Sequence, residues 1–187
     1  MRKPRPQGLC IIFDVNPYCH KESQLDKLQP QTAKRRPLVS EDNPIRVFVS
    51  HNFVEDGDYL RVFEFLECVD KFFYLNCSKP ENIPGTGGLE AIKEELLSQI
   101  EPAEAVIILA SHFNEHTDLV RYQMDVAEAG GKPMIAIQPF GGLAETPEEL
   151  SNRVKEHIGW NEREIADALR RQARLEDTAR WDVIDFP

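Results

Sequence analysis

Two short stretches gather side chains able to do chemistry. Ser50-His51-Asn52 set a hydroxyl, an imidazole and an amide in consecutive positions; taken alone, they read as loop residues capping a strand end. Gly85-Thr-Gly-Gly88 precedes a helical pattern and could cradle a phosphate at a helix N-terminus. No Lys-Ser/Thr pair follows it, so it is not a P-loop. Cys10, Cys19-His20, Cys68 and Cys77 have neither disulfide-framework spacing nor an evident fourth zinc ligand, so no metal is expected. His112 and His116 read as solvated loop histidines, and Tyr122 as a packing residue.

These residues need elements to position them. The most informative unit runs from Glu104 to Gly142. Val106–Ala110 is a short β-branched run, apolar on both faces, as a strand covered by helices would be. Ser111 to Thr117 reads as a polar loop, after which Leu119, Val120, Met124, Ala127 and Ala129 recur at helical spacing. Gly130-Gly131 stop that helix, and Lys132-Pro133 lead into the strand Met134–Ile137. That is a βαβ unit, so the sheet is parallel and its binding crevice lies at the carboxyl ends of the strands.

Upstream, Arg46–Ser50 is a strand, followed by a helix capped by Asp58 with Tyr59, Leu60, Phe63, Leu66 and Val69 at helical spacing. Phe72–Leu75 is the second strand, Asn76–Gly88 a long loop, and Leu89, Ile92, Leu96 and Ile100 mark the next helix. Downstream, Thr146-Pro-Glu-Glu149 reads as a capping box with proline at the first helical position. A second helix opens at Asn161 with Glu164 three residues on, after Gly159-Trp160. The class is α/β: one flavodoxin-like domain over 45–175 with strand order 2-1-3-4, a fifth strand left open, flanking helices and a helical C-terminal extension.

A chain of 187 residues that is 41% apolar can bury one good core. A net charge of −10 argues against a general nucleic-acid or anionic-membrane binder, and no apolar run approaches a membrane span, so a cytoplasmic protein is expected. The charge is uneven: residues 1–44 carry net +3, leaving −13 after Pro44. Those first 44 residues read as an extended, proline-containing basic arm, with a cluster at Lys34–Arg36 and an apolar run, Leu9–Phe13, able to add to a sheet edge or dock on a neighbouring subunit. Residues 176–187 form a short tail in which Trp181, Val183, Ile184 and Phe186 are apolar enough to pack.

Five marks together resemble the TIR-like domains of bacterial and archaeal proteins, in the branch that includes the TIR proteins of Thoeris anti-phage systems. They are Val47-Phe-Val-Ser-His51, Asn76-Cys-Ser-Lys-Pro-Glu81, the helix start Asp118–Asp125, Gly131-Lys-Pro-Met-Ile135 and Gly159-Trp-Asn161. The resemblance implies binding of NAD as substrate and its conversion to a cyclic or conjugated ADP-ribose signal. It implies a nucleotide pocket lined by Ser50, His51, Asn52, Asn76, Ser78, Lys79, Leu119 and Tyr122. It also implies a homo-oligomer built through the Asn76–Gly88 loop and the arm, with a separate effector or phage component as partner. The family's catalytic glutamate falls on Gln123, and its usual tryptophan four residues earlier on Leu119. Glutamine keeps the reach of glutamate without its charge, at a cost of about 3 kcal/mol in transition-state stabilisation. The protein as written is therefore expected to be inactive. Either a Glu→Gln change was introduced to trap substrate, or the carboxylate was lost naturally and the domain is a non-catalytic sensor or scaffold.

Overall fold

The computed structural model describes residues 39–142, 146–176 and 178. Contacts divide the chain after Ala33, and the described residues all fall in the second unit, Lys34–Pro187. The expectations for Leu9–Phe13, Lys34–Arg36, Cys10, Cys19-His20 and the apolar tail residues lie outside the described residues.

Five strands, β1 (Ile45–Val49), β2 (Tyr74–Asn76), β3 (Ala105–Leu109), β4 (Met134–Ile137) and β5 (Glu156–Ile158), form one parallel sheet in the order β2-β1-β3-β4-β5. β1 and β3 lie side by side but lead their connections in opposite directions, making the topological switch point of the sheet. Alternation along the strands sorts the core into two layers. Ile45, Val47, Val49, Ile107, Leu109 and Ile135 face α1 (Gly57–Glu67) and α6 (Glu162–Leu169). Phe48, Val106, Ile108 and Ala136 face α2 (Gly88–Ile100), α4 (Thr117–Ala129) and Leu150 of α5 (Glu148–Arg153).

The fifth strand is real, though only three residues long. β2 lies later than the expected Phe72–Leu75: Lys71 takes positive φ and Phe72 closes a turn onto Val69, so pairing starts at Tyr74. The stretch expected as a polar loop from Ser111 instead begins as α3 (Ala110–Glu115), because Ala110 and Phe113, three apart, bury into the second layer. His116 breaks the helix at φ −130°, and α4 restarts at Thr117. The cap of α1 is Asp56 rather than Asp58; its carboxylate accepts from the Tyr59 amide at 2.9 Å. Asn161 caps α6 as expected, accepting from the amides of Arg163 and Glu164, whereas α5 starts after Pro147 with no side-chain cap. Among the described residues no helix is long and apolar enough to cross a membrane.

At the amino edge the chain closes on itself. A π-helical turn, Arg170–Arg174, follows α6 and buries Arg174. Its Nη2 donates to Asn43 Oδ1 and the Pro44 carbonyl and pairs with Glu104 at 2.9 Å, while the Val39 amide donates to Glu176 Oε1.

Candidate functional site

At the carboxyl edge, Ser50 continues β1: its amide donates to the Ile107 carbonyl and its hydroxyl accepts from the Leu109 amide at 2.9 Å, joining β1 to β3. His51 follows and is fully buried. Gln123, on α4 and 0% exposed, grips the main chain of His51 with both ends of its amide. The His51 N–H donates to Gln123 Oε1 at 3.2 Å, and Gln123 Nε2 donates to the His51 carbonyl at 2.8 Å. Gln99 of α2 repeats the device on the loop after β2. Its Oε1 accepts from the Lys79 amide at 2.8 Å and its Nε2 donates to the Lys79 carbonyl at 3.2 Å. The His51 ring joins the two clasps: Nδ1 accepts from the Phe53 amide, leaving Nε2–H to donate to Gln99 Oε1 at 3.0 Å.

Burial pushes the His51 imidazole down to about 4, against the partial opposition of its bond to Gln99. A folded-state value below the unfolded one means stability present above about pH 6.5 and lost as pH falls toward 4. The loss amounts to about 3 kcal/mol. Chemical denaturation between pH 7 and 4 checks this: His51→Gln should flatten the acid slope by that amount, and an unchanged slope would refute the assignment.

Of the expected pocket residues, Ser50, His51, Ser78, the Lys79 main chain and Gln123 meet in this one network. The Ser78 hydroxyl accepts from the Val49 amide at 2.7 Å and donates to the Val49 carbonyl, and its own amide donates to Asn76 Oδ1. Asn76 donates onward to Tyr59. Asn52 bonds His116, with its Oδ1 buried and unpartnered. Leu119 packs on the second layer, and Tyr122 does too, its hydroxyl donating to the Lys93 carbonyl. The Lys79 side chain is exposed.

Beside this closed network lies an open crevice of 330 Å³ at the switch point, on the sheet edge where the βαβ unit places a binding crevice. Its walls are Asp56, Asp58 and Arg61 at the start of α1, and Ser111, His112 and Glu115 on α3. His112 is 1% exposed rather than solvated. Its Nδ1 donates to the Ser50 carbonyl at 2.8 Å and its Nε2 meets the Asp56 carboxylate, so the ring ties β1, the α1 cap and α3 together. Asp58 pairs with Arg61 at 2.9 Å and accepts from the Ser111 hydroxyl at 2.8 Å. Arg61 in turn rests 3.6 Å above the ring of Phe140, which meets Trp160 edge-on. A second hollow of 420 Å³ adjoins the crevice across Glu115 and runs to Leu119. Among the described residues no three His, Cys, Asp or Glu side chains converge in a way that could hold a metal ion.

Residues 48–142 match the family described as Thoeris protein ThsB, TIR-like domain. The chain belongs to this TIR-like family. No curated protein matches it. The matched span opens inside β1 and closes after β4, so this Thoeris TIR-like domain contains both glutamine clasps and every wall of the crevice. Trp160, α5 and α6 lie beyond it. The family fixes the TIR-like fold and an anti-phage context for the chain.

Proposed function

We propose that this Thoeris TIR-like protein binds NAD at the carboxyl edge of its sheet and holds the dinucleotide without cleaving it. The observation that carries this reading is the Gln123 clasp. Departure of nicotinamide leaves positive charge on the ribose, which a carboxylate offsets. The side chain at the family's carboxylate position is instead an uncharged amide, fully buried, with both polar atoms on the main chain of His51. In this reading Gln123 shapes the floor of the site, and the module signals by assembling with copies of itself through the Asn76–Gly88 loop and with a separate effector or phage component.

The test is calorimetric titration with NAD followed by chromatography of the mixture. Bound NAD recovered intact is the expected result; nicotinamide released well above the protein-free control would overturn it. One observation favours a second reading, cleavage to a cyclic or conjugated ADP-ribose. Glu115 brings a carboxylate to the crevice from the helix directly after β3. The same chromatogram separates the two readings.

A further inference from the structure

A cavity of 680 Å³ opens at the amino edge of the sheet, where β4, β5 and the π-helical turn meet. Met134 and Ala173 give it an apolar wall, and Leu175 stands exposed on its rim. Lys132, Arg153 and Lys155 supply charge. Arg153 is committed to Asp125 and Glu128, at 2.6 and 2.8 Å. Lys132 Nζ donates to the uncharged Glu101 carbonyl, and the Lys155 side chain makes no hydrogen bond or ion pair among the described residues. Two lysines thus face this cavity without an ion-pair partner, on a chain that carries −13 after Pro44. The chain leaves the described fold at the same rim. Leu175 takes a left-handed φ of 57°, which turns the backbone over the π-helical turn. The Glu176 amide then donates to the Arg170 carbonyl, and Thr178 Oγ1 accepts from Arg171 Nη1 at 2.7 Å. Arg171 and its neighbour Gln172, a wall of the cavity, both hold Glu156 at the start of β5. Trp181 follows Thr178 by three residues, a reach of about 10 Å.

We propose that this cavity is a docking site for the chain's own segment 181–186, with the Trp181 indole against Met134 and Ala173 and the Asp182 and Asp185 carboxylates on Lys132 and Lys155. The inference goes beyond NAD binding and does not depend on it. Composition and charge carry the match. The segment interleaves Trp181, Val183, Ile184 and Phe186 with two aspartates, and a seated aromatic side chain buries about 150–250 Å². The acidic surface elsewhere repels those two carboxylates, so the unpaired lysines direct them to this wall. The short tether from Thr178 gives the segment a high effective concentration at its own cavity, which favours it over the segment of a second copy.

Fluorescence quenching and carbodiimide coupling on the full chain test this. Trp160 is the other tryptophan, so Trp181 emission is taken as the difference between the parent and Trp181→Ala. Acrylamide should quench it several-fold less in the parent than in the free peptide 176–187. Lys132→Glu with Lys155→Glu turns two exposed attractions into repulsions and should weaken docking about tenfold, raising the quenching toward the peptide's value. Adding Asp182→Lys and Asp185→Lys to that protein should restore the shielding, which a merely damaged fold would not. Carbodiimide joins a lysine amine to a touching carboxylate with loss of water, so Lys132 or Lys155 should couple to Asp182 or Asp185. In a mixture of isotopically light and heavy chains, the coupled peptides should be light throughout or heavy throughout. Trp181 quenched as freely as in the peptide would overturn the inference, as would shielding untouched by the double reversal or no coupling to either aspartate. Coupled peptides of mixed isotope would overturn it too, making a second copy the occupant.

Discussion

Gln123→Glu will destabilise the fold by about 3–5 kcal/mol at neutral pH, before any question of catalysis arises. The position is 0% exposed, and the group facing one end of the side chain is the His51 carbonyl, an acceptor. A carboxylate there can still receive the His51 amide but has nothing to donate, and no cation among its hydrogen-bond partners compensates it. Protonation rescues the contact, since a neutral carboxyl can accept from the amide and donate to the carbonyl as glutamine does. Burial therefore raises the folded-state value of the introduced acid above its unfolded value of about 4.3. The variant should match the parent below about pH 4 and lose stability progressively as pH rises, reaching a plateau once the folded-state value is passed. Denaturant midpoints across pH 3.5–8 measure this against the parent. Gln123→Met removes the same two bonds without a titrating group and should show no such extra pH dependence. A Gln123→Glu protein as stable as the parent at pH 7.5 would show that the clasp does not exist in solution.

The second large effect is expected at Gln99→Leu, about 3 kcal/mol. One truncation strips the partner from His51 Nε2, the Lys79 amide and the Lys79 carbonyl together, and each orphaned group costs about 1–3 kcal/mol when buried and less where solvent reaches it. Tyr122→Phe, which loses one partly buried bond to Lys93, should stay within about 1 kcal/mol. Amide exchange distinguishes a local loss from a general one: Lys79 should lose protection in Gln99→Leu before the strands do. Retained protection at Lys79 would refute the role given to Gln99.

What the sequence made legible was whatever depends on near neighbours. β1, β3 and β4 announce themselves as short β-branched runs, and the apolar positions from Leu119 to Ala127 recur because a helix buries one face. The strand order followed from the βαβ connections. Local rules failed where a distant partner decided the outcome. Asp56 and Asp58 are equally good caps by type, and the choice fell to Asp56, which also meets His112, 56 residues away. Ser111–Glu115 looks polar because His112 and Ser111 point their polar atoms at α1 and the end of β1 rather than at water. β5, three residues with one buried position, is too short for any period to register. The resemblance marked position 123 as the centre of the site, yet nothing in the sequence showed a glutamine whose partner is the main chain of a residue 72 positions earlier.

The buried Arg174 joins the two ends of the described domain at one edge of the sheet. Val39 and Glu176 are bonded to each other, and Arg174 fastens the segment entering β1 to Glu104, just ahead of β3. All of these contacts sit at the amino edge, across the sheet from the clasps and the crevice. Val39, Arg174 and Glu176 therefore hold the two ends of the described domain together on the side of the sheet away from Glu115.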